Sequence, residues 1–454
     1  MYIPLKSPPP ASQSERLSRI AQRMQDTGQW SPAQAAGRRW TIGCVSLEIT
    51  QRCNLDCTLC YLSDSAEAVG DIPLEELFRR IDDIARQYGP NTDVQISGGD
   101  PTLRDRAELS LIVRYVRSSG LRASLLTNGI RLNREWLQQL AADGLNDVAF
   151  HVDMTQERNG YASESELNVL RRRYIEMARG LPLSVMFNST VFAGNLHEIS
   201  ALANFFIEHN DVVRFASFQL GADTGRGTVA GRNAELSQRS VCAAIERGSG
   251  VSLNFDGLQG GHRACNRYAM LFTIGGQRFD ALADGEFVAR VMRDTAAVVM
   301  ERGQGLRGAW ALAKVVFRQR QLWRGFARHT ARMFWAARGE WFDGSLRVPP
   351  VRKISFFTHN FMDACNLEAD RIDACVFMAA TVDGPMSMCA YNADRDRFLL
   401  KPILLVSGET WQPLTVTPSA NGEIKIPLKW LKGKPRKAAL VDRKPAPIAA
   451  EMTL

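Results

Sequence analysis

The chain has 454 residues, of which 45% are hydrophobic and 23% are charged, and its formal net charge is +8. These proportions are those of a globular protein and exclude a disordered chain. The length predicts one large domain with appendages, or two domains. No secretory signal is visible, and no apolar run reaches the roughly 18 residues that a bilayer span needs. We therefore expect a cytoplasmic protein whose nine cysteines are reduced.

Short apolar runs alternate with longer amphipathic stretches in the first half of the chain. The apolar runs predict strands at 44–50, 93–97, 122–127, 147–152, 183–191 and 212–220. The amphipathic stretches predict helices at 73–88, 105–119, 132–143, 164–179 and 197–209. This alternation is typical of βα units on a parallel sheet. Six such units suit a partial or full barrel whose functional groups gather at the carboxyl ends of the strands.

Composition divides the chain into four regions. The first is a polar lead-in with a short helix at 14–27, and the second holds the βα units. The third begins with glycine-rich segments and continues with a helical, basic and aromatic stretch over 286–345. The last ends in a tail rich in lysine and proline. The predicted bounds are 1–40, 41–220, 221–400 and 401–454.

Three cysteines follow the first predicted strand at short spacing. Cys53, Cys57 and Cys60 form a Cys-x-x-x-Cys-x-x-Cys pattern. Three thiolates on one loop can hold three irons of a cubane and leave the fourth iron open to another ligand. The alternatives are a zinc site or unrelated buried cysteines. Zinc would require a fourth Cys or His at similar spacing, and the sequence has none there.

The segment LEITQRCNLDCTLCY (47–61) resembles the opening motif of the radical S-adenosylmethionine (SAM) superfamily. The resemblance implies an α/β fold, a partial (β/α)6 TIM-like barrel, with a [4Fe–4S] cluster and SAM as cofactors. It also implies cleavage of SAM to a 5′-deoxyadenosyl radical that abstracts hydrogen from an unactivated carbon. Leu59 departs from the motif, which usually has an aromatic residue at that position, and Tyr61 follows the third cysteine.

Polar and glycine residues at later strand ends are the candidate SAM-binding set. Two adjacent glycines in SGGDPTL (97–103) let the backbone approach a ligand closely. The resemblance relates this segment to the family's GGEP motif, with aspartate in place of glutamate. His151 and Ser189 are weaker candidates. The predicted cofactor-binding residues are Gly98, Gly99, Asp100, Pro101, Thr127, Asn128 and Asp153.

Four further cysteines lie beyond the predicted barrel. They are Cys265, Cys365, Cys375 and Cys389, and the last three fall close together in the chain. Four thiolates suffice for an auxiliary [4Fe–4S] cluster in a C-terminal α+β region. Buried free cysteines are the alternative, and that is the interpretation we prefer for Cys44 and Cys242.

The C-terminal half also resembles the class D radical SAM methyltransferases and the tetraether lipid synthases. The resemblance is carried by Phe-Met-Asp (361–363), Arg371 with Cys375, and Cys-Ala-Tyr-Asn (389–392), together with GGHRACNRY (260–268). It implies C–C bond formation or methylation at an unactivated carbon. Candidate hydrogen donors are Tyr61, Tyr268 and Tyr391.

A basic and aromatic stretch spans 307–338. Three interpretations are open: a helix packed on the barrel with a solvated arginine face, a peripheral contact with an anionic membrane, or nucleic-acid binding. The packed helix is slightly favoured. No recognisable nucleic-acid module accompanies the charge, so we expect no nucleic-acid partner.

The sequence therefore predicts a transferase or C–C bond-forming radical SAM enzyme. Its substrate would be a lipid or another hydrophobic molecule, and its electron donor a flavodoxin or ferredoxin. A peptide-modifying enzyme of the SPASM type is the alternative. An iron–sulfur carrier without catalytic activity is a third hypothesis, but it would not need the SGGDPTL segment.

Overall fold

The computed structural model describes residues 43–227, 235–258, 260–295, 305–336, 338–341 and 350–415. The strands in these ranges are β1 Cys44–Thr50, β2 Asp93–Gly98, β3 Arg122–Thr127, β4 Asp147–His151, β5 Ser184–Val191, β6 Val213–Leu220, β7 Asn266–Ile274, β8 Gln277–Asp280, β9 Val351–Asn360, β10 Phe377–Thr381, β11 Gly384–Ser387, β12 Ile403–Leu404 and β13 Thr410–Trp411. The predicted helix at 14–27 and the whole tail rich in lysine and proline lie outside the described residues.

Helices cover the sheet and extend into the C-terminal half. They are α1 Leu74–Tyr88, α2 Arg106–Ser118, α3 Arg134–Ala142, α4 Glu164–Ala178, α5 Ile199–Glu208, α6 Gln238–Ser249, α7 Gly285–Asp294, α8 Gly305–Arg318, α9 Arg320–Ala336, α10 Arg338–Trp341, α11 Ala369–Asp373, α12 Met388–Ala393 and α13 Arg395–Leu399. No helix among the described residues is long and apolar enough to cross a membrane.

Eleven strands form one sheet in the order β11-β10-β1-β2-β3-β4-β5-β6-β9-β7-β8. Strands β1 to β6 are all parallel, and β10 and β9 extend this parallel core at its two edges. β7, β8 and β11 add antiparallel edges. This confirms the predicted α/β class with a βα core, in which the six predicted strands and five predicted helices end within two residues of the observed bounds.

A continuous apolar core fixes the helices against the sheet. Its centre holds fully buried aromatic side chains, with Phe187 on β5 placed 5.8 Å from Phe150 on β4 and 5.1 Å from Phe206 on α5 between ring centroids. Strands that are buried on both faces have near-continuous apolar sequences. The strands of this core could therefore be predicted from the sequence. Two C-terminal strands flank this core, so segments of distant sequence lie beside β1 and β6.

Candidate active site

The loop that follows β1 carries the three closely spaced cysteines. Cys53, Cys57 and Cys60 are half-buried free thiols that interact electrostatically with one another. Hydrogen bonds fix the loop: the Asn128 side chain donates to Asn54 Oδ1 at 2.6 Å, and the Thr58 amide donates to the Thr155 carbonyl at 2.8 Å. The ends of β3 and β4 therefore hold the cysteine loop in place.

The environment of Cys53 and Cys57 favours the neutral thiol until a metal binds. Burial, with the nearby charge of Asp100, raises the pKa of Cys53 to about 12. Burial also raises the pKa of Cys57, and the neighbouring Cys60 and Cys53 add to that effect. Because iron binds thiolates, cluster assembly here must release protons.

The donor set fits an iron–sulfur cluster better than a single ion. The ligands of one zinc ion converge on a point, whereas cubane ligands bind separate irons. Within the ranges that the structure describes, no three His, Cys, Asp or Glu side chains converge tightly enough for a single metal ion. Three thiols on one short loop can each bind a separate iron, which is the ligand set that a cubane with one open iron requires.

The glycine pair after β2 packs against the chain that leads into the cysteine loop. The Gly99 amide donates to the Thr50 carbonyl at 2.9 Å, and the Asp100 amide donates to the Arg52 carbonyl at 2.8 Å. A Cβ on Gly98 would lie 1.9 Å from the Thr50 oxygen, and one on Gly99 would lie 2.1 Å from the Arg52 oxygen. The close approach seen at these two glycines is to the protein's own backbone, and their contact with SAM stays a prediction.

Asp100 joins the ends of β2 and β3. Its fully buried carboxylate accepts hydrogen bonds from the Thr102 amide at 2.9 Å, the Thr127 hydroxyl at 2.9 Å and the Asn128 amide at 2.8 Å. Pro101 opens the short 3-10 turn that carries this bonding. Four of the predicted SAM-binding residues therefore form one connected unit, in which the carboxylate orients its neighbours.

His151 and Asp153 form a second polar pair at the end of β4. The His151 Nε2 lies 2.7 Å from Asp153 Oδ2, and the Thr190 amide donates to the same oxygen at 2.6 Å. Burial alone would raise the pKa of Asp153, but His151 and the hydrogen bonds from Thr155 and Thr190 bring it well below its ordinary value. Asp153 is therefore a buried carboxylate that orients the imidazole.

A cavity opens beside the cysteine loop, and residues of several strands line it. Cys60 lies in its wall. The polar residues that line it from the strands are Ser46, Glu48, Gln95, His151, Asn188, Thr190 and Gln219. The apolar residues that line it are Leu59, Leu126, Leu220, Phe361, Phe377 and Met388.

A charged cluster at the wall of this cavity joins β1 to the C-terminal segment. Glu48 is 3% exposed and forms an ion pair with Arg395. The Arg395 guanidinium lies between two aromatic rings, 4.8 Å from the Tyr61 centroid and 4.5 Å from the Tyr391 centroid. The Tyr391 hydroxyl donates to Glu48 at 2.9 Å, and the Tyr61 hydroxyl donates to the Gly98 carbonyl at 2.6 Å. Both hydroxyls are thus engaged within the protein.

The third tyrosine that the sequence proposed lies elsewhere. Tyr268 is on β7, with its hydroxyl 2.7 Å from the Ser355 hydroxyl on β9. It is not among the residues that line the cavity. The structure therefore brings Tyr61 and Tyr391 together around Arg395 and leaves Tyr268 at the other edge of the sheet.

A short glycine-rich segment, residues 223–227 (the glycine strap), lies against the cysteine loop. Gly225 has φ +62, and a Cβ there would lie 2.6 Å from the Cys60 carbonyl oxygen. The Arg226 amide donates to the Leu62 carbonyl at 2.8 Å. Two glycines thus let the backbone reach the loop and place Arg226 beside it.

Arg226 is a site residue that sequence reasoning missed. It is 2% exposed and pairs with Glu67, while its Nε lies 3.8 Å from Asp56 and has no hydrogen-bond partner in the described part of the chain. Burial alone would lower its pKa, but Cys60, Glu67 and Asp56 raise it, so the guanidinium stays charged. The Gly-Arg-Gly triplet was the available signal.

The C-terminal motifs hold the glycine strap. Asp363 of the Phe-Met-Asp motif accepts a hydrogen bond from the Asp223 amide at 2.7 Å. Thr224 donates to the carbonyl of Asn392 at 3.2 Å. Two of the C-terminal motifs, 361–363 and 389–392, therefore contact the segment that lies against the cysteine loop.

Three of the four distant cysteines come together. Cys389 interacts electrostatically with Cys375 and Cys265, and burial raises its pKa to about 12. The Arg371 Nε donates to Cys265 Sγ at 3.2 Å. Cys365 is exposed, unlike these three. Arg371 therefore lies against this cysteine set, and all four cysteines stay predicted cluster ligands.

Comparison with known proteins identifies the domain that holds this site. Residues 47–194 match the family model described as the radical SAM superfamily. This range includes the cysteine loop and the ends of β2 to β5. Residues 47–194 are therefore a radical SAM domain, and the cofactors of that family are a [4Fe–4S] cluster and SAM.

Similar curated proteins catalyse several different reactions. The chain is 28% identical over 188 residues to the 7,8-dihydro-6-hydroxymethylpterin dimethyltransferase of Methanocaldococcus jannaschii, covering 40% of this chain and 37% of that protein. It is 29% identical to the Fe-coproporphyrin III synthase of Methanosarcina barkeri (40% and 45%) and 29% identical to the PqqA peptide cyclase of Bradyrhizobium diazoefficiens (36% and 43%). The matches span about half or less of these relatives.

Among solved structures, the chain is similar to anSMEcpe with bound AdoMet, with 18% identity and a TM-score of 0.36 over 44% of this chain and 58% of that one. It is also similar to Streptococcus suis SuiB bound to its precursor peptide SuiA, with 16% identity and a TM-score of 0.33 over 48% and 46%.

Proposed function

We propose that this enzyme activates an sp3 C–H bond of a lipid or another hydrophobic substrate and forms a C–C bond or adds a methyl group. The observation that carries the proposal is the cavity in which Cys60 faces an apolar wall. When bound, the cluster and SAM supply the 5′-deoxyadenosyl radical. The protein's own residues position the reactants and keep water away.

The roles of the first site follow from its contacts. Cys53, Cys57 and Cys60 would hold the cluster, and Arg226 supplies positive charge beside the three thiolates. Asp100 fixes Thr127 and Asn128 at the strand ends, where SAM would bind. The network therefore orders the polar side of the cavity before any ligand enters, which lowers the cost of binding.

The apolar side of the cavity supports a hydrophobic substrate. Phe361 and Phe377 lie 5.7 Å apart between ring centroids and pack on the small core that also holds Met388. These three side chains face the same cavity as Cys60. A chain of methylene groups would bury its surface there at about 25 cal/mol per Å², so binding would not depend on a polar headgroup.

The second cysteine set is proposed to hold an auxiliary [4Fe–4S] cluster. Cys265, Cys375 and Cys389 supply three thiolates, and the Arg371 guanidinium offsets their negative charge. Exposed Cys365 stays a candidate fourth ligand. An electron donor of the flavodoxin or ferredoxin kind would supply reducing equivalents.

The substrate class is tested by comparing the lipids of a deletion strain with those of its parent. Our proposal predicts that a methylated or cross-linked lipid species disappears and that its precursor accumulates. Complementation with the wild-type gene should restore the species, and complementation with a Phe361→Asp/Phe377→Asp variant should not. Unchanged lipids would contradict the lipid assignment.

A SPASM-type activity on a peptide is the second candidate. The observation in its favour is the similarity to a peptide cyclase and the second cysteine set. It predicts that a peptide encoded near the gene acquires a mass change when incubated with the enzyme, SAM and reductant. Transfer of deuterium from a labelled lipid or a labelled peptide into 5′-deoxyadenosine separates the two candidates.

A further inference from the structure

Helices α8 and α9, with the start of α10, form a basic helical pair (305–338) whose charge has one sign. This stretch contains eight Lys or Arg residues and no Asp or Glu. Neither the radical SAM domain nor the second cysteine set uses any of these side chains. Their density and their position on helices are therefore unexplained by the proposed chemistry.

One face of the basic helical pair packs on the protein. Leu322 is fully buried, and the ring of Phe326 lies 5.0 Å from Phe287 on α7 in an edge-to-face contact. Gly325 allows that contact, since a Cβ there would lie 2.2 Å from the Phe287 ring. Arg328 forms an ion pair with Asp284. These contacts attach α9 to α7 and fix which face points outward.

The outward face presents large apolar side chains. Leu306 is 90% exposed, Trp310 65%, Phe317 74% and Trp335 69%. Leu306, Trp310 and Phe317 recur at helical spacing along α8, so they lie on one stripe. Exposed aromatic groups of this size are uncommon on a surface that faces only water, and a contiguous patch marks an interaction site.

Basic side chains flank this stripe. Exposed Lys314 lies with its ammonium 5.6 Å from the Trp310 ring centroid, and the Arg338 guanidinium lies 5.5 Å from the Trp335 ring centroid. Exposed cations beside exposed aromatic rings are the arrangement of helices that lie in the membrane interface, where rings enter the headgroup region and cations meet phosphates. Basic residues also draw such a helix to anionic lipid.

We propose that the basic helical pair docks the enzyme on the surface of an anionic phospholipid membrane. The chain's own terminal segments are poor occupants, because residues 1–42 carry six basic and two acidic residues and residues 416–454 carry eight and three. Both would be repelled by a basic face. Nucleic acid would pair with the basic side chains but would not bury the apolar stripe that contains Leu306. A lipid surface accounts for both the basic charge and the apolar stripe.

The test is co-sedimentation of the full chain with vesicles. The wild type is expected to sediment with vesicles of two parts phosphatidylcholine to one part phosphatidylglycerol, and not with phosphatidylcholine alone. High salt should release it. Each basic residue near such a surface strengthens binding roughly fivefold, so Lys314→Gln/Arg318→Gln/Arg324→Gln should weaken binding about a hundredfold. Trp310→Ala/Phe317→Ala should also weaken it.

Matched variants keep the result specific to this surface. Lys432→Gln/Lys434→Gln/Lys437→Gln removes the same charge from the basic tail, and Leu404→Ala/Val406→Ala removes exposed apolar groups at another surface. Both should bind as the wild type does. The proposal is overturned if the tail variant loses binding while the helical variants keep it, or if the wild type ignores anionic vesicles and binds single-stranded RNA. 5′-Deoxyadenosine formation tests the proposed function separately, because these side chains lie outside the cavity.

Discussion

The Tyr391 hydroxyl donates a 2.9 Å hydrogen bond to Oε2 of Glu48, a residue 343 positions earlier in the chain. Glu48 lies in the strand that leads into the cysteine loop, and Tyr391 lies two residues after Cys389. Arg395 completes the contact by pairing with Glu48 between the two tyrosine rings. The C-terminal segment is therefore anchored directly to the strand that positions the first cysteine set.

Removing this hydrogen bond should destabilise the protein. Tyr391→Phe keeps the ring over Arg395 but leaves a buried carboxylate with one fewer donor, which we expect to cost about 1.5–3 kcal/mol of unfolding free energy. Urea unfolding measures it. Tyr115→Phe is the matched control, because that hydroxyl bonds to Asp82 at an exposed site. Equal unfolding free energies for both variants would contradict the role of Tyr391.

Arg226 should influence the cluster and not only the fold. Arg226→Met removes the buried positive charge beside three thiolates, so we expect lower iron content and a more negative reduction potential in an EPR-monitored titration. Arg226→Lys should restore part of both. Arg80→Met is the control, since Arg80 is a buried arginine paired with Glu76 away from the cysteine loop. If the two methionine variants show the same iron content and potential, Arg226 has only a packing role.

The second cysteine set should tolerate the loss of Cys365. Because Cys265, Cys375 and Cys389 come together and Cys365 is exposed, Ala substitution of any of the first three should lower iron from about eight to about four per chain. Cys365→Ala should retain most of the iron. Buried Cys242 provides the control, as Cys242→Ala should also retain it. Loss of four irons in Cys365→Ala would instead make that thiol the fourth ligand.

His359 should make stability depend on pH on the acid side. Burial, with the nearby Arg371, lowers the pKa of His359 to about 3. The unfolded chain binds a proton at this imidazole near pH 6.5, and the folded protein does not. The neutral imidazole therefore contributes fully to the free energy of unfolding above pH 6.5, and this contribution is lost as the pH falls towards 3. The loss approaches about 1.4 kcal/mol per pH unit. His359→Phe should flatten this dependence in urea unfolding, and an unchanged slope would contradict the assignment.

The glycine pair should not accept side chains. Gly99→Ala would place a Cβ 2.1 Å from the Arg52 carbonyl oxygen, so the chain leading into Cys53 must shift. We expect a loss of about 1–3 kcal/mol of stability together with reduced iron content. Gly339→Ala, at a position with open space around it, should change neither. Full iron in Gly99→Ala would show that the loop adapts without cost.

The sequence predicted the βα core well because its signals are local. Apolar runs such as 44–50 are bounded by turn residues, and helix caps such as Asn133 and Ser163 bond amides only three residues further along the chain. The radical SAM class followed from one short motif whose spacing carries its own chemistry. The βα core and the radical SAM class could both be predicted because they depend on few long-range contacts.

The features of the site that could not be predicted from the sequence depend on long-range packing. Arg226 lies next to Cys60 only because two glycines let the chain return to the loop, and no local pattern states that return. The exposure of Cys365 also depends on how β9 and α11 are placed. Tyr268 and Tyr391 looked equivalent in the sequence, yet they lie at different parts of the sheet.

The most direct test of the central claim is 5′-deoxyadenosine formation from SAM under anaerobic reduction. The wild-type protein, reconstituted with iron and sulfide, should form the nucleoside even without substrate. A Cys53→Ala/Cys57→Ala/Cys60→Ala variant should form none while it retains the iron of the second cysteine set. Equal formation by the two proteins, or none by a fully loaded wild type, would contradict the assignment of these three cysteines.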